Sequence, residues 1–134
     1  MSDEDTPAPG RADRALRIAG GVVALLAGAA SAVLEAVLTP LRLGGWPFPA
    51  APVLAAALGV PLVVFAIRVT GSRYGGLTPA VGWFGMVSLL VTRTAEGDLL
   101  LPESAMAYAV FFAGAVSFVV ALYRSPYDAG RRWR

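Results

Sequence analysis

The chain has 134 residues, of which 57% are hydrophobic and 15% charged, with a mean hydropathy of +0.65; a soluble domain carries about 25% charged residues to keep its surface hydrated. A net charge of +2 is too small to mark a nucleic-acid binder, and partners of that class are not expected. With no Cys and no His, disulfide frameworks, thiolate chemistry, Cys/His zinc sites and the usual neutral-pH proton shuttle fall away together.

Residues 1–14, MSDEDTPAPGRADR, are acidic and then basic, with Pro and Gly and no apolar periodicity. Such a stretch buries too little surface to fold, so a disordered tail is expected there. The first apolar run, Ile18 to Leu38, holds 21 residues and stops at Thr39-Pro40. About 20 residues cross a hydrocarbon core roughly 30 Å thick. Ala30-Ser31-Ala32 imitates a signal-peptide cleavage site. The run continues past that point and three more follow it, so a retained span is the better reading.

The segment TPLRLGGWPFP reads as a turn whose Trp46 and Phe48 suit the headgroup level. The second run, 51–69, carries Pro61 in its middle. A membrane bundle tolerates that, because neighbouring groups can satisfy the freed carbonyl. TGSRYGG is a short polar connector before the third run, 77–92, which includes Pro79, Gly82, Trp83, Gly85 and Ser88. RTAEGDLLLPE is the one acid-dominated loop, and 104–123 is the fourth run, rich in aromatic residues. Residues 125–134 form a basic tail that ends in Arg131-Arg132-Trp133-Arg134, suited to anchoring at an anionic leaflet.

The fold class expected is an all-α membrane protein, a bundle of four transmembrane helices over residues 15–124. Barrel strands are disfavoured because the apolar runs are continuous and do not alternate. Arginines set the orientation, since short Arg-bearing loops resist translocation. Nine of the eleven Arg residues fall in the N-terminal flank, the second connector and the C-terminal tail; Arg42 and Arg93 lie on the other side. This predicts a multi-pass protein of the cell membrane with both termini cytoplasmic. The imbalance also argues against four-span exporters of the multidrug-resistance type, some of which insert both ways.

Two features could carry function. Glu35 is the sole acid inside a predicted span, and an intramembrane carboxylate is a functional hypothesis by default. It stands three residues before Leu38, about 4.5 Å from the helix end at 1.5 Å per residue. An interfacial place is therefore expected, paired with Arg42 or Arg93. Gly20, Ala24, Gly28, Ala32 and Ala36 form a ladder of small residues four apart, which lets a second helix approach closely. Ala113, Ser117 and Ala121 form a shorter stripe on the fourth span and are the expected partner. The Gly-rich SRYGG text lacks the strand and Lys of a phosphate loop and reads as a tight turn. Glu96 and Asp98 read as a hydrated acidic loop, not a cation site. Neither a catalytic constellation, nor a metal site, nor a cofactor site is expected.

The SRYGG, TPAVGW and TRTAEGDLLLP segments, with the four spans, resemble a family of small actinobacterial four-span membrane proteins to which no reaction is assigned. Arg in place of every Lys, with heavy use of Ala, Gly and Val, fits a GC-rich genome of that kind. The resemblance spans residues 15–124 and implies no functional residues. A non-enzymatic accessory or scaffold subunit is expected, whose partners are the lipid bilayer and either a larger membrane protein or further copies of itself. The alternative is an oligomeric transporter or channel that uses Glu35. Against it stands the scarcity of polar residues to line a path, namely Glu35, Ser31, Ser88, Ser117 and Thr78.

Overall fold

The computed structural model describes residues 10–92 and 105–124. The four apolar runs are four helices: α1 (Arg11–Leu38), α2 (Ala50–Thr70), α3 (Leu77–Val91) and α4 (Ala105–Tyr123). Each is long and apolar enough to cross a membrane, α3 with the turn Tyr74–Gly76 that precedes it. The acidic loop and the C-terminal tail discussed above lie outside the described residues.

Helix α1 begins earlier than the sequence suggests, so residues 11–14 are helical and not part of a disordered tail. Local bonds account for the extra turns. The amide of Arg14 donates to the Gly10 carbonyl at 3.1 Å, and Arg17 Nε pairs with Asp13 one turn back at 2.9 Å. Pro40, with no amide hydrogen to offer, follows the other end. There the Thr39 hydroxyl donates to the Glu35 carbonyl at 2.8 Å. The chain then makes a small ribbon, β1 (Arg42–Leu43) against β2 (Trp46–Pro47), antiparallel. Its turn is Gly44-Gly45, with φ of 60° and 86°, as a tight primed hairpin turn requires. Barrel strands are disfavoured by the sequence, and the strand structure among the described residues is this ribbon of two residues on each side. Helix α2 stops at Gly71, whose φ of 66° completes a left-handed cap.

Helix α1 packs on α3 and α2, and α4 is held mainly by α2. Small residues make these contacts possible. A Cβ on Gly28 would collide with the Pro79 carbonyl of α3, and one on Gly82 would collide with the Leu25 carbonyl of α1. The two backbones therefore cross in van der Waals contact, which gains dispersion and Cα–H contacts where lipid offers no hydrophobic drive. On the other side, Gly59 of α2 receives Ser117 of α4, and Ala51, Ala55 and Val110 close the same interface nearer the hairpin. The main core gathers Ala32, Val63, Ile67, Ala80, Trp83, Val87, Phe118 and Ala121 from all four helices.

Candidate functional site

Glu35 lies on the α1 face that also buries Ala24, Gly28, Ser31 and Ala32. It is 2% exposed, so it lacks the access to water expected from its place near the helix end. Helical side chains lean toward the N-terminus of their helix. From the last turn of α1 that lean carries the carboxylate back into the bundle instead of out to the end. Its Oε2 accepts a hydrogen bond from Trp83 Nε1 at 2.8 Å. Arg42, one expected partner, is exposed and makes no ion pair among the described residues; the pair present there joins Arg17 and Asp13. Arg93, the other, lies outside the described residues.

Trp83 is fully buried and joins three helices. Its nitrogen edge meets Glu35 of α1, and its benzo ring lies against Gly114 of α4, where a Cβ would collide with it. Phe118 and Phe111 flank the ring at centroid distances of 5.8 and 6.1 Å, and Phe84 meets it edge-on at 4.9 Å. Sequence reasoning did not pair Trp83 with Glu35. A signal was present: a buried indole N–H needs an acceptor, and Glu35 is the one acid in any apolar run.

The ladder on α1 splits. Ala24, Gly28 and Ala32 are buried, while Gly20 and Ala36 are half-buried; Gly20 faces Val69 of α2. The stripe on α4 expected to meet this ladder turns chiefly toward α2. Ser117 donates to the Ala56 carbonyl at 2.8 Å, Ala113 packs on the Ala51–Ala55–Val110 cluster, and Ala121 joins the shared core. Small-residue spacing marks a packing face without naming the helix that covers it, and α3 reaches Gly28 because Gly82 is equally bare.

Residues 6–131 match one protein family. The chain belongs to DUF6113, a family of unknown function. That agrees with the resemblance to a family with no assigned reaction. No curated protein and no solved structure matches the chain.

In this DUF6113 chain several hydroxyl groups among the described residues go to backbone carbonyls. Ser31 donates to Gly28, Thr70 to Ala66, Thr78 to Gly75 and Ser88 to Phe84. Among the described residues no buried side-chain polar atom lacks a partner, and no three of His, Cys, Asp and Glu gather as a metal would require. The Ser72–Gly76 stretch of the SRYGG text is a 3₁₀ turn, closed by the Gly75 and Gly76 amides on the Ser72 and Arg73 carbonyls. Among the described residues, grooves open on the outer surface, two of which flank α4. One, about 470 Å³, runs between α2 and α4 past Ala56, Val60, Phe112, Val116 and Val120. The other, about 540 Å³, runs between α3 and α4 past Leu77, Val81, Gly85, Ser88 and Val119. Both are almost wholly apolar, and Glu35 lines neither.

Proposed function

We propose that this chain is a non-enzymatic membrane subunit, which works by presenting helix faces to another membrane protein. The supporting observation is that, among the described residues, the buried polar side chains are spent internally. The buried ones bond to carbonyls or to each other, and the surface grooves offer apolar walls without titratable groups. Recognition by such a surface rests on close packing, which is how helices associate in lipid. The test is extraction of the tagged protein from its native membrane in mild detergent, followed by mass determination and identification of what accompanies it. A stoichiometric larger membrane protein supports the reading. A homogeneous assembly of this chain alone sinks it.

The second reading is a small oligomeric transporter, favoured by one observation. Glu35 is an acid deep in the bundle whose bond among the described residues comes from neutral Trp83. Intramembrane acids of this kind mark ion and proton paths. Flux in reconstituted vesicles that is lost in Glu35→Gln supports it, and flux equal to that of empty vesicles rejects it.

In either case the protein resides in the cell membrane with both termini in the cytoplasm. The support is the clustering of Arg11, Arg14, Arg17, Arg68, Arg73 and Arg124 at one end of the bundle, with Arg42 at the other. Because the chain has no Cys, single cysteines placed at residue 10 and at Trp46 give a clean labelling test. An impermeant reagent on intact cells should label position 46 and not position 10; the reverse pattern overturns the orientation.

A further inference from the structure

The hairpin between α1 and α2 has two unlike faces. In an antiparallel ribbon, alternate residues of one strand share a face with the residues opposite them. Leu43 lies opposite Trp46, and Arg42 opposite Pro47. The Phe48 amide donates to the Leu41 carbonyl at 3.0 Å, which carries the same register one pair further. One face therefore holds Leu41, Leu43, Trp46 and Phe48, and the other holds Arg42 and Pro47. Pro47 falls at a pair that exchanges no amide hydrogen bond, so the ribbon loses nothing by it. The bundle leaves the apolar face uncovered: all four of its side chains are exposed, Trp46 at 80% and Leu43 at 58%.

This face is continuous with the surface that α1 and α2 turn to lipid. Val37 in the last turn of α1 and Val53 in the first turn of α2 are exposed. Between them the polar side chains are Thr39 and Arg42, and no carboxylate intervenes. Thr39 is buried, with its hydroxyl bonded to the Glu35 carbonyl. The polar rim that surrounds a patch meeting a protein in water is therefore missing. The one charge is a cation, the sign that a phosphate-bearing surface attracts. We infer that the apolar face of the ribbon is a lipid-binding surface, seated in the layer between headgroups and acyl chains of the leaflet at the hairpin end. Tryptophan favours that layer, since its ring is apolar and its N–H is polar. Arg42 stands on the opposite face, toward lipid phosphate and water. So placed, the ribbon fixes the depth at which the joined ends of α1 and α2 meet the membrane. The placement holds for either direction of insertion, and with or without a protein partner.

The experiment uses the full chain, which has no native Cys, purified and reconstituted in vesicles of phosphatidylcholine and phosphatidylglycerol. Single cysteines replace one residue at a time: Leu43→Cys and Phe48→Cys on the apolar face, Arg42→Cys and Pro47→Cys on the other. Each carries a nitrobenzoxadiazole fluorophore. The quenchers are iodide, present on both sides of the membrane, and lipid bearing a nitroxide at the headgroup or high on the acyl chain. Labels at 43 and 48 should emit at shorter wavelength than those at 42 and 47, with stronger quenching by the nitroxide lipid and weaker quenching by iodide. Water-soluble reagents still enter the headgroup layer, so a cysteine at 46 remains open to labelling, at a slower rate than one at 42. Equal iodide quenching at all four positions would place the ribbon in water and overturn the inference. Equal nitroxide quenching at all four would remove its sidedness and overturn it too. Labels at 43 and 48 shielded from both quenchers would mean that a second copy of the chain covers the face, which also overturns it. If one variant of a pair fails to fold, its companion reports the same face.

Discussion

Trp83 Nε1 donates to Glu35 Oε2 at 2.8 Å across 48 residues of sequence, joining α3 to α1 inside the bundle. Both side chains are fully buried or nearly so. In lipid, neither group could find water if the other were removed. The pair therefore holds the two helices in register as well as in contact. Gly28 and Gly82 bring the backbones together, and the indole–carboxyl bond fixes how far one helix has slid along the other.

That arrangement predicts coupling between the two residues. Glu35→Gln keeps an acceptor of the same shape, so its stability should stay within about 1 kcal/mol of wild type. Glu35→Leu leaves the indole N–H unsatisfied and should cost about 1–3 kcal/mol. Trp83→Phe vacates volume and costs more through the cavity it opens. The double variant Glu35→Leu/Trp83→Phe should lose less than the sum of the two singles, by at least about 0.5 kcal/mol. Unfolding titrations in mixed micelles measure all four states, and strict additivity would show that the bond contributes nothing.

The crossing of α1 and α3 predicts sharp discrimination among glycines. Gly28→Leu and Gly82→Leu would each drive a side chain into backbone, at Pro79 and at Leu25 respectively. Backbone cannot yield as a flexible side chain can, so a loss of about 3 kcal/mol or more is expected, at the upper end of overpacking costs. Gly85 stands on the same helix with open space around it. Gly85→Ala should instead be neutral or stabilise by about 0.5–1 kcal/mol, through reduced backbone freedom in the unfolded chain. Thermal denaturation in one detergent orders the three variants; comparable losses at Gly28 and Gly85 would disprove the close crossing.

Much of the fold was legible because lipid imposes one rule, that a spanning segment must satisfy its own backbone. Continuous apolar runs therefore translate directly into helices, and α2, expected over 51–69, forms over Ala50–Thr70. Helix α1 escaped at its start because the Asp13–Arg17 pair and the Gly10 carbonyl stabilise turns that carry no hydrophobic signal. The site was less legible. Distance along α1 placed Glu35 near water, but the direction in which its side chain leans decided the outcome. The ladder through Gly28 was readable as a face, and its partner was not, since Ala113, Ser117 and the Gly82 region offer equally small surfaces. Trp83 reads in the sequence only as a member of the third apolar run, because nothing along the chain matches its N–H to the acceptor on α1.

Gly114 provides a spectroscopic prediction. Its bare Cα accepts the benzo ring of Trp83, so Gly114→Ala must move either the ring or α4. Ring displacement would lengthen the bond to Glu35 and wet the indole. In a Trp46→Phe/Trp133→Phe background, where Trp83 is the remaining tryptophan, Gly114→Ala should shift the emission to longer wavelength and increase quenching by acrylamide. An unchanged spectrum with unchanged stability would mean that Trp83 does not lie against α4.

The α2/α4 interface yields a prediction of rescue. Ser117 donates to Ala56 and lies directly over Gly59, where an added Cβ would collide with its hydroxyl. Gly59→Ala alone should therefore displace Ser117 and lose its bond, for a cost of about 1–3 kcal/mol. Ser117→Ala removes the hydroxyl that causes the collision, at a cost of about 1 kcal/mol for the lost hydrogen bond. Combining them should be milder than adding them: the hydroxyl is already gone, though the new Cβ must still clear Ser117 Cβ, which lies 2.8 Å from its ideal position. The double variant should recover part of the stability that Gly59→Ala loses, visible as a higher midpoint than in Gly59→Ala by itself. A double variant less stable than either single would place the strain in the α4 backbone, and would mean that the helices meet through main chain here as α1 and α3 do at Gly28.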